Sequence, residues 1–293
     1  MTLLRAGDKI ALAAPSGFIA PESIKTGALW LEKQGFELEL MPHVFARCHY
    51  TAGTDFERAD DVNEAFARSD IKAIFCVRGG AGSSKILPYL DYALIKKNRK
   101  PVFGLSDSTA LQNALFTCSG NVSYTGFLPI FDFKNGSLDE KINQSLNMVF
   151  AGREQKASGG KCLNSGSAQG IMVGGCLSVL NYLCGTPYFP SLQGKILLIE
   201  DVGEKTYRID LMLNQLKSQK DFSGLKGIVF GQFLNCVEAD EGDGSVAEII
   251  ADFAQDLDIP VITEFPYGHV ASRYVLPIGK KVCLDADTVT VTY

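Results

Sequence analysis

A serine stands at the point where a predicted strand gives way to a predicted helix. Ser106 lies two residues after Gly104, at the end of the apolar run 100–107 and just before the helical segment 108–120. Such a turn presents a hydroxyl at the edge of a sheet, and the first N–H groups of the helix favour developing negative charge. The stretch therefore fits a nucleophilic serine, but it also fits a simple helix cap at Ser106 or Ser108.

A nucleophilic hydroxyl needs a base, and the chain has three histidines. His43 and His49 flank a short loop-like stretch. His269 follows a glycine in a loop bounded by Gly and Pro, where an imidazole is free to reach a cleft. His269 is therefore a candidate base, and the alternative is a surface histidine or one that pins the loop.

A base in turn needs an orienting acceptor, which is usually a carboxylate. Glu200 ends an apolar strand predicted within 194–204, where a carboxylate without a partner would be costly. Asp201 and Glu204 in the same stretch are the alternatives, and either also fits an ordinary solvated loop acid.

A glycine-rich stretch, VRGGAGSS at 77–84, follows another predicted strand. It lacks the G-K-[ST] ending of a P-loop and the spacing G-x-G-x-x-G. It could still cradle a phosphate or present backbone N–H groups to an oxyanion, and Arg78 could bind a carboxylate with two hydrogen bonds. No group of His, Cys, Asp and Glu has the spacing of a metal site, so no metal is expected.

These candidates belong to a first half in which strands and helices alternate. Such alternation predicts a parallel sheet with right-handed crossovers, in which functional residues gather at the carboxyl ends of the strands. The turns 78–80 and 104–107 stand at such ends. The predicted strands are 9–15, 36–40, 72–80 and 100–107, and the predicted helices are 21–35, 54–70, 83–98 and 108–120.

The second half has more β character. The stretch 151–170 between the halves is rich in Gly, Ser, Lys and Asn and lacks periodicity, so it is predicted as a linker. The predicted organisation is a domain over 1–150, this linker, and a β-rich α/β domain over 171–293. Its predicted elements are strands within 194–204 and 226–233, helices at 207–219 and 244–258, and a closing hairpin within 280–293.

The composition is that of an ordinary globular chain. Of the 293 residues 46% are hydrophobic and 21% are charged, and the net charge is −5 with no block of like charges. A nucleic-acid partner would need a basic stripe, so none is expected. No run approaches the ~18 apolar residues of a membrane span, and the first residues do not resemble an export signal. The eight cysteines are therefore expected to be reduced thiols of a soluble cytoplasmic protein.

Five stretches in order carry a resemblance that spans nearly the whole chain. They are GDKIALAAPSG (7–17), RGGAGSSKILPYLD (78–91), GLSDSTAL (104–111), the long block 174–216, and YGHVASRYVLPIG (267–279) with VCLD (282–285). Together they resemble the LD-carboxypeptidase family of serine peptidases, which includes the microcin C immunity peptidases. The block 174–216 is the most specific of the five.

The resemblance implies a catalytic triad and a two-domain fold. At the matching positions Ser106 would be the nucleophile, Glu200 the orienting carboxylate, and His269 the general base and acid. The backbone N–H groups of Gly80 and Asp107 would be the oxyanion donors. The implied fold is a Rossmann-like parallel-sheet N-terminal domain followed by a smaller β-rich α/β domain that supplies the Glu and His. A homodimer without a cofactor is also expected.

The resemblance also implies a substrate class. Family members that act on murein cleave the amide between an L-centre diamino acid and a terminal D-alanine, which trims a tetrapeptide to a tripeptide during recycling. One alternative is an immunity peptidase that cleaves an aminoacyl-nucleotide conjugate. Those members tend to be longer, with an aromatic stacking residue on an extra loop, and the single tryptophan here, Trp30, lies in an early helix. The other alternative is a non-catalytic binder of an anion or nucleotide at the glycine-rich loop.

Four positions depart from residues that are common in the family. Ala81 stands where an aromatic residue is usual, and Lys85 stands where arginine is usual. Gln112 stands where histidine is usual, and Cys176 where asparagine is usual. None is a triad position, but Ala81 is expected to line the pocket and to affect substrate preference. Arg78 and Arg208 are the candidates for holding a substrate carboxylate, and Arg208 fits a salt bridge at a helix start as well.

Overall fold

A six-stranded sheet organises the first half of the chain. The computed structural model describes residues 2–133 and 136–293. The strands of this sheet are β1 (Lys9–Ala13), β2 (Glu37–Leu40), β3 (Ile71–Cys76), β4 (Val102–Gly104), β5 (Ser123–Thr125) and β12 (Leu276–Ile278). In space they run β12-β5-β4-β3-β1-β2, and β1 to β5 are parallel. The predicted parallel sheet is confirmed.

The strand order reverses beside β1. β2 lies on one side of β1 and β3 lies on the other, so the connections that leave β1 and β3 diverge from each other. Open α/β sheets bind their ligands in the crevice that forms at such a point, outside the carboxyl ends of the strands. The connections concerned here begin at Ala14 and Val77.

In the described part of the chain five α-helices connect β1 to β5 in turn, and two of them have ends that the sequence explains. Thr54 and Glu57 form a reciprocal capping box at the start of the second helix. Gly120 ends the fifth helix with a φ of 68°, a conformation that glycine adopts without strain. The helices are α1 (Lys25–Lys33), α2 (Asp55–Ala67), α3 (Ser83–Ile86), α4 (Tyr92–Lys97) and α5 (Ser108–Ser119).

An eight-stranded sheet organises the second half. Its strands are β6 (Lys156–Ser158), β7 (Lys161–Asn164), β8 (Ser167–Cys176), β9 (Lys195–Val202), β10 (Gly227–Leu234), β11 (Val261–Thr263), β13 (Lys281–Asp285) and β14 (Thr290–Thr292). In space they run β6-β14-β13-β8-β9-β10-β11-β7, with β8 to β11 parallel and the flanking strands antiparallel. The predicted closing hairpin is β13 and β14.

Three helices cover one face of the second sheet. Their apolar side chains form a core cluster with the strands β8 to β11. The other face of the sheet packs into the larger core cluster that also contains the first sheet. The covering helices are α7 (Leu177–Asn181), α8 (Thr206–Lys217) and α9 (Val246–Ala254), and α6 (Glu140–Phe150) precedes the sheet in the chain.

The prediction of a linker at 151–170 is wrong, because this segment is part of the second sheet. It contains β6, β7 and the start of β8. β6 pairs with β14 at one edge of the sheet, and β7 pairs with β11 at the other. The glycines that suggested a flexible connection lie instead in tight turns between strands, with positive φ at Gly159, Gly160 and Gly166.

The chain returns to the first sheet close to its C-terminus. β12 pairs antiparallel with β5, so the stretch that follows His269 becomes an edge strand of the first sheet. β13 and β14 then return to the second sheet. The two sheets are therefore interlocked by the chain rather than joined in simple succession.

Helix α5 provides a second connection between the sheets. The side-chain amide of Asn113 donates to the Gly174 oxygen at 2.9 Å and accepts from the Gly174 N–H at 2.9 Å. The Thr109 hydroxyl accepts from the Cys176 N–H at 3.0 Å. A Cβ at Gly175 would stand 2.5 Å from that hydroxyl oxygen, so the close approach needs glycine. These contacts fix the helix that follows Ser106 against β8.

No helix within residues 2–133 and 136–293 is long and apolar enough to cross a membrane. All eight cysteines fall in the described part of the chain, and all are free thiols. Cys76 and Cys176 are buried, whereas Cys162 and Cys283 are exposed.

The contact between α1 and residues 128–131 gives a test of the packing. A Cβ at Gly27 would stand 2.1 Å from the Pro129 carbonyl oxygen. In an open helix Ala in place of Gly stabilises by roughly 1 kcal/mol. Here the clash with rigid backbone dominates, and Gly27→Ala lowers the free energy of unfolding by about 1–3 kcal/mol in urea titrations. The control Thr26→Ala, at an exposed neighbour, stays within about 0.5 kcal/mol of wild type. A Gly27→Ala protein as stable as this control would contradict the packing.

Candidate active site

The turn between β4 and α5 holds Ser106 in an unusual backbone conformation. Its φ is 66°, a region that residues other than glycine rarely occupy and that is often found where backbone strain serves a site. Gly79 lies directly against it, because a Cβ there would stand 2.8 Å from the Ser106 Cβ and 3.0 Å from its Oγ. The geometry is that of a sharp strand-to-helix turn that presents a hydroxyl.

The helix cap predicted at Ser108 is wrong. Ser108 is the first residue of α5, and its hydroxyl donates to the Leu105 oxygen at 3.1 Å instead of accepting from the helix. Asp107 takes the cap position without a side-chain cap bond. Its carboxylate accepts from the Ser83 N–H at 2.7 Å and so joins the elbow to the glycine-rich connection after β3.

The two backbone N–H groups expected to act as oxyanion donors are available. Within the described part of the chain neither the Gly80 N–H nor the Asp107 N–H donates to another protein group. Gly80 has a φ of 108° and packs against Gly17, so this backbone approaches a second loop closely. Free N–H groups beside a hydroxyl are suited to binding a developing negative charge.

Glu200 and His269 form a buried pair. The His269 Nδ1–H donates to the Glu200 Oε2 at 2.7 Å, and the side chains are 11% and 0% exposed. Glu200 lies on β9, and His269 lies in the loop that leads to β12. Gly268 allows the approach, since its φ is 123° and a Cβ there would stand 2.9 Å from Oε2.

Burial governs the electrostatics of this pair. It raises the pKa of Glu200, while the hydrogen bond and charge of His269 oppose the rise. The nearby charge of Asp201 raises the pKa further and that of Arg273 lowers it. Oε1 of Glu200 is buried and has no hydrogen-bond partner among the described residues. A carboxylate held in this way is costly and points to a role other than stability.

The two alternative carboxylates are engaged elsewhere. Asp201 accepts from the Ser178 N–H at 2.8 Å and so holds the start of α7. Glu204, which lies just before α8, pairs with Arg208 of that helix at 3.1 Å. Neither bonds to His269, which leaves Glu200 as its carboxylate partner in the described structure.

Ser106 and His269 line the same cavity, which has a volume of about 500 Å³. It lies at the crevice where the connections after β1 and β3 diverge. Its other walls come from the turn after β4, the connection after β5 and the loop that carries His269. No direct hydrogen bond joins Ser106 to His269 among the described residues. The lining residues are Phe18, Ile19, Ala20, Ser23, Arg78, Gly79, Gly80, Leu105, Ser106, Leu128, Ile130, Phe131 and His269.

Of the three candidates for substrate binding, one lines the cavity and two do not. Arg78 lines the cavity, and its guanidinium donates to the Phe18 carbonyl oxygen. Ala81 is exposed and does not line the cavity, so the expectation of a pocket-lining position is wrong. Arg208 also lies outside the lining, because Glu204 holds it on α8.

The remaining departures from the family pattern have structural partners. Lys85 pairs with Asp55 at 3.2 Å. The Gln112 amide donates to the Tyr124 oxygen at 2.9 Å, and the Cys176 thiol donates to Asp201 Oδ1 at 3.5 Å. Burial raises the pKa of the Cys176 thiol well above its usual range, which makes this group a poor nucleophile.

Sequence reasoning missed the apolar walls of the cavity. Phe18 and Ile19 follow β1, and Leu128, Ile130 and Phe131 follow β5. The available signal was their place after the carboxyl ends of parallel strands, in stretches too irregular to belong to a helix or strand. No cluster of His, Cys, Asp or Glu in residues 2–133 and 136–293 could hold a metal ion.

The raised pKa of Glu200 predicts a pH-dependent cost to stability. The folded state binds the carboxyl proton more tightly than the unfolded state, so stability falls as pH rises from the ordinary Glu pKa of about 4.3 through the folded value. Glu200→Gln removes this titration. The free energy of unfolding of the Glu200→Gln protein, measured by urea titration from acid to neutral pH, should therefore increase relative to that of the wild-type protein as pH rises.

The matched control is Glu241→Gln at an exposed position, whose free energy of unfolding should stay within about 0.5 kcal/mol of wild type. If the free energy of unfolding of Glu200→Gln instead fell relative to wild type as pH rises, the ionised carboxylate would stabilise the fold, and the prediction would be contradicted.

Comparison with known proteins agrees with the geometry. Residues 10–126 match the model of the LD-carboxypeptidase N-terminal domain, and residues 169–284 match that of the C-terminal domain. A murein tetrapeptide carboxypeptidase of Pseudomonas aeruginosa is 30% identical, over 95% of this chain and 94% of that protein.

Two solved structures superpose closely on this fold. A muramoyltetrapeptide carboxypeptidase from Oxalobacter formigenes has a TM-score of 0.87 and 27% identity, with 97% of each chain covered. An MccF-like protein from Bacillus anthracis has a TM-score of 0.88 and 27% identity, over 99% of this chain and 98% of that one. With both of its domain models matched over more than half of its length, the chain belongs to the LD-carboxypeptidase family.

Proposed function

We propose that this protein is a serine-type LD-carboxypeptidase that removes the terminal D-alanine from murein tetrapeptides. The observation that carries the proposal is the hydrogen bond from His269 to the buried Glu200, at a cavity that Ser106 also lines. The name of the Pseudomonas aeruginosa relative supports the choice of substrate.

In the first half of the proposed reaction Ser106 Oγ attacks the amide carbonyl carbon of the L-centre residue. His269 Nε2 takes the hydroxyl proton, while its Nδ1–H remains bonded to Glu200, which orients the ring and stabilises its positive charge. The tetrahedral oxyanion is held by the N–H groups of Gly80 and Asp107, and one such donor is typically worth ~10²–10³ in kcat.

In the second half the C–N bond breaks and the amine of D-alanine leaves with the proton from His269. The L-centre residue remains as an ester on Ser106. Water then attacks the ester with His269 again as the base, and the proton returns to Ser106 as the shortened peptide is released. No cofactor takes part in this scheme.

The lining of the cavity suits a small substrate end with one carboxylate. Arg78 supplies a guanidinium, and Phe18, Leu128 and Phe131 supply apolar walls. A terminal D-alanine has one carboxylate for Arg78 and one methyl group for the walls.

The cytoplasmic location and the homodimer remain predictions from the sequence.

A second candidate substrate is an aminoacyl-nucleotide conjugate. The observation in its favour is the fold likeness to the MccF-like protein of Bacillus anthracis. Trp30 is not available to stack on a base in this cavity, because its ring packs against Phe127 and Phe133 at centroid distances of 5.7 and 5.9 Å. A non-catalytic binder has less support, since it gives Glu200 and His269 no reason to meet.

A product assay tests the reaction class, the bond and the nucleophile together. Incubated with murein tripeptide, tetrapeptide and pentapeptide, the wild-type protein should release D-alanine from the tetrapeptide. Ser106→Ala should lower kcat by ~10³–10⁶-fold without loss of folded protein. Absence of D-alanine release across neutral pH would refute the proposed substrate, and cleavage of an aminoacyl-nucleotide in a parallel reaction would favour the second candidate.

The role of Arg78 predicts a selective effect on substrate binding. Arg78→Gln removes charge-assisted hydrogen bonds to the terminal carboxylate and should raise KM by about 10- to 100-fold. Arg208→Gln is the matched control outside the cavity and should leave KM unchanged. Steady-state kinetics on the tetrapeptide measure both, and the reverse ranking of the two variants would move the carboxylate site to α8.

A further inference from the structure

A buried ion pair stands behind the candidate active site. Arg273 and Asp132 bond through Nη2 and Oδ1, and their side chains are 0% and 2% exposed. The other two guanidinium nitrogens donate as well: Nε donates to the Gly126 oxygen at 3.0 Å and Nη1 to the Val270 oxygen at 2.6 Å. The second carboxylate oxygen of Asp132 accepts from the Leu128 N–H at 2.8 Å.

These bonds join two loops that the cavity needs. Arg273 lies four residues after His269, and its bond to Val270 closes the histidine loop on itself. Gly126, Leu128 and Asp132 belong to the connection after β5 that forms a wall of the cavity. The pair therefore connects the loop of the candidate base to the wall against which a substrate would lie.

An aromatic ring adds a direct link to the imidazole. The Arg273 guanidinium carbon stands 5.5 Å from the centre of the Phe131 ring. Phe131 in turn meets the His269 ring edge-on, with centroids 6.2 Å apart and an interplanar angle of 82°. A shift of the guanidinium would consequently be transmitted both to the wall and to the imidazole.

Stability alone does not explain this arrangement. Burial raises the pKa of Asp132, so desolvation opposes the ionised pair. Buried ion pairs are often no more stabilising than apolar residues of similar size. A guanidinium does something that an apolar residue cannot, because its planar N–H donors fix the positions of several acceptors at once. Here those acceptors belong to both loops.

We propose that Arg273 and Asp132 are positioning residues, which hold His269 in register with Ser106 and set the cavity wall at the same time. The inference rests on the proposed function of Ser106, Glu200 and His269. Loss of the guanidinium frees the histidine loop, so kcat falls because the imidazole is misplaced, and KM rises because the wall moves.

The spectroscopic test does not depend on the substrate. A proton shared between imidazole and carboxylate gives a low-field ¹H NMR signal. Residues 2–133 and 136–293 contain two such pairs, His269 with Glu200 at 2.7 Å and His43 with Asp61 at 2.8 Å. His269→Gln identifies the first signal by its loss. Arg273→Ala should lose or broaden the His269 signal and keep the His43 signal, which serves as an internal control.

The kinetic test uses chemical rescue. With the tetrapeptide, Arg273→Ala should lower kcat by about 10- to 100-fold, and guanidinium ions at matched ionic strength should restore a large part of it. Lys100→Met is the matched control, because Lys100 is another buried cation that bonds the Ala65 and Arg68 oxygens away from the cavity. It should keep kcat and show no rescue. Asp132→Asn, which keeps the shape of the acceptor, provides a milder variant if Arg273→Ala folds poorly.

The outcomes separate this inference from the proposed function. A wild-type protein that does not cleave the tetrapeptide refutes the proposed substrate, and the NMR signals still decide whether Arg273 positions His269. An unchanged His269 signal in both Arg273→Ala and Asp132→Asn would overturn the inference. The inference would also be overturned if Lys100→Met lost as much kcat as Arg273→Ala, because a general loss of stability would then explain the lower kcat.

Discussion

The close contact between α5 and β8 is the constraint on which the site depends. Asn113 bonds both backbone groups of Gly174 and so holds the helix that begins just after Ser106 against β8. β8 is parallel to β9, with Cys176 in register with Glu200. The candidate nucleophile and the candidate orienting carboxylate are thus connected through α5, β8 and β9. Gly174 makes this possible, because a Cβ there would stand 2.1 Å from the Leu198 oxygen.

The imidazole is fixed from two directions by different parts of the fold. On the second sheet Glu200 receives its Nδ1–H, and on the first sheet β12 anchors the chain that follows the histidine loop. The site itself holds features that cost free energy, namely the positive φ of Ser106 and the unpartnered Oε1 of Glu200. Such features persist where the surrounding structure determines them, and here two apolar core clusters and the interlocked sheets surround the site.

The sequence predicted the parallel first sheet, the turn that carries Ser106 and the strand that carries Glu200, because periodicity and glycine positions are local signals. The predicted end of that strand at Glu200 is wrong, since β9 continues to Val202. It could not show that β12 leaves the second half to pair with β5, since an edge pairing has no signal in either strand alone. For the same reason it missed Arg273 and Asp132, which are distant in sequence. The prediction of a linker at 151–170 was wrong because a segment with glycines in tight turns and a flexible segment have similar compositions.

In the proposed mechanism, groups from both sheets act on Ser106. Labelling with a fluorophosphonate probe measures this, because an activated serine hydroxyl displaces the fluoride from phosphorus far faster than an ordinary hydroxyl does. The adduct is located by peptide mass spectrometry. The mechanism predicts one adduct on Ser106, formed rapidly in the wild-type protein and far more slowly in His269→Gln. An adduct on another residue, or equal labelling of Ser106 in both proteins, would contradict it.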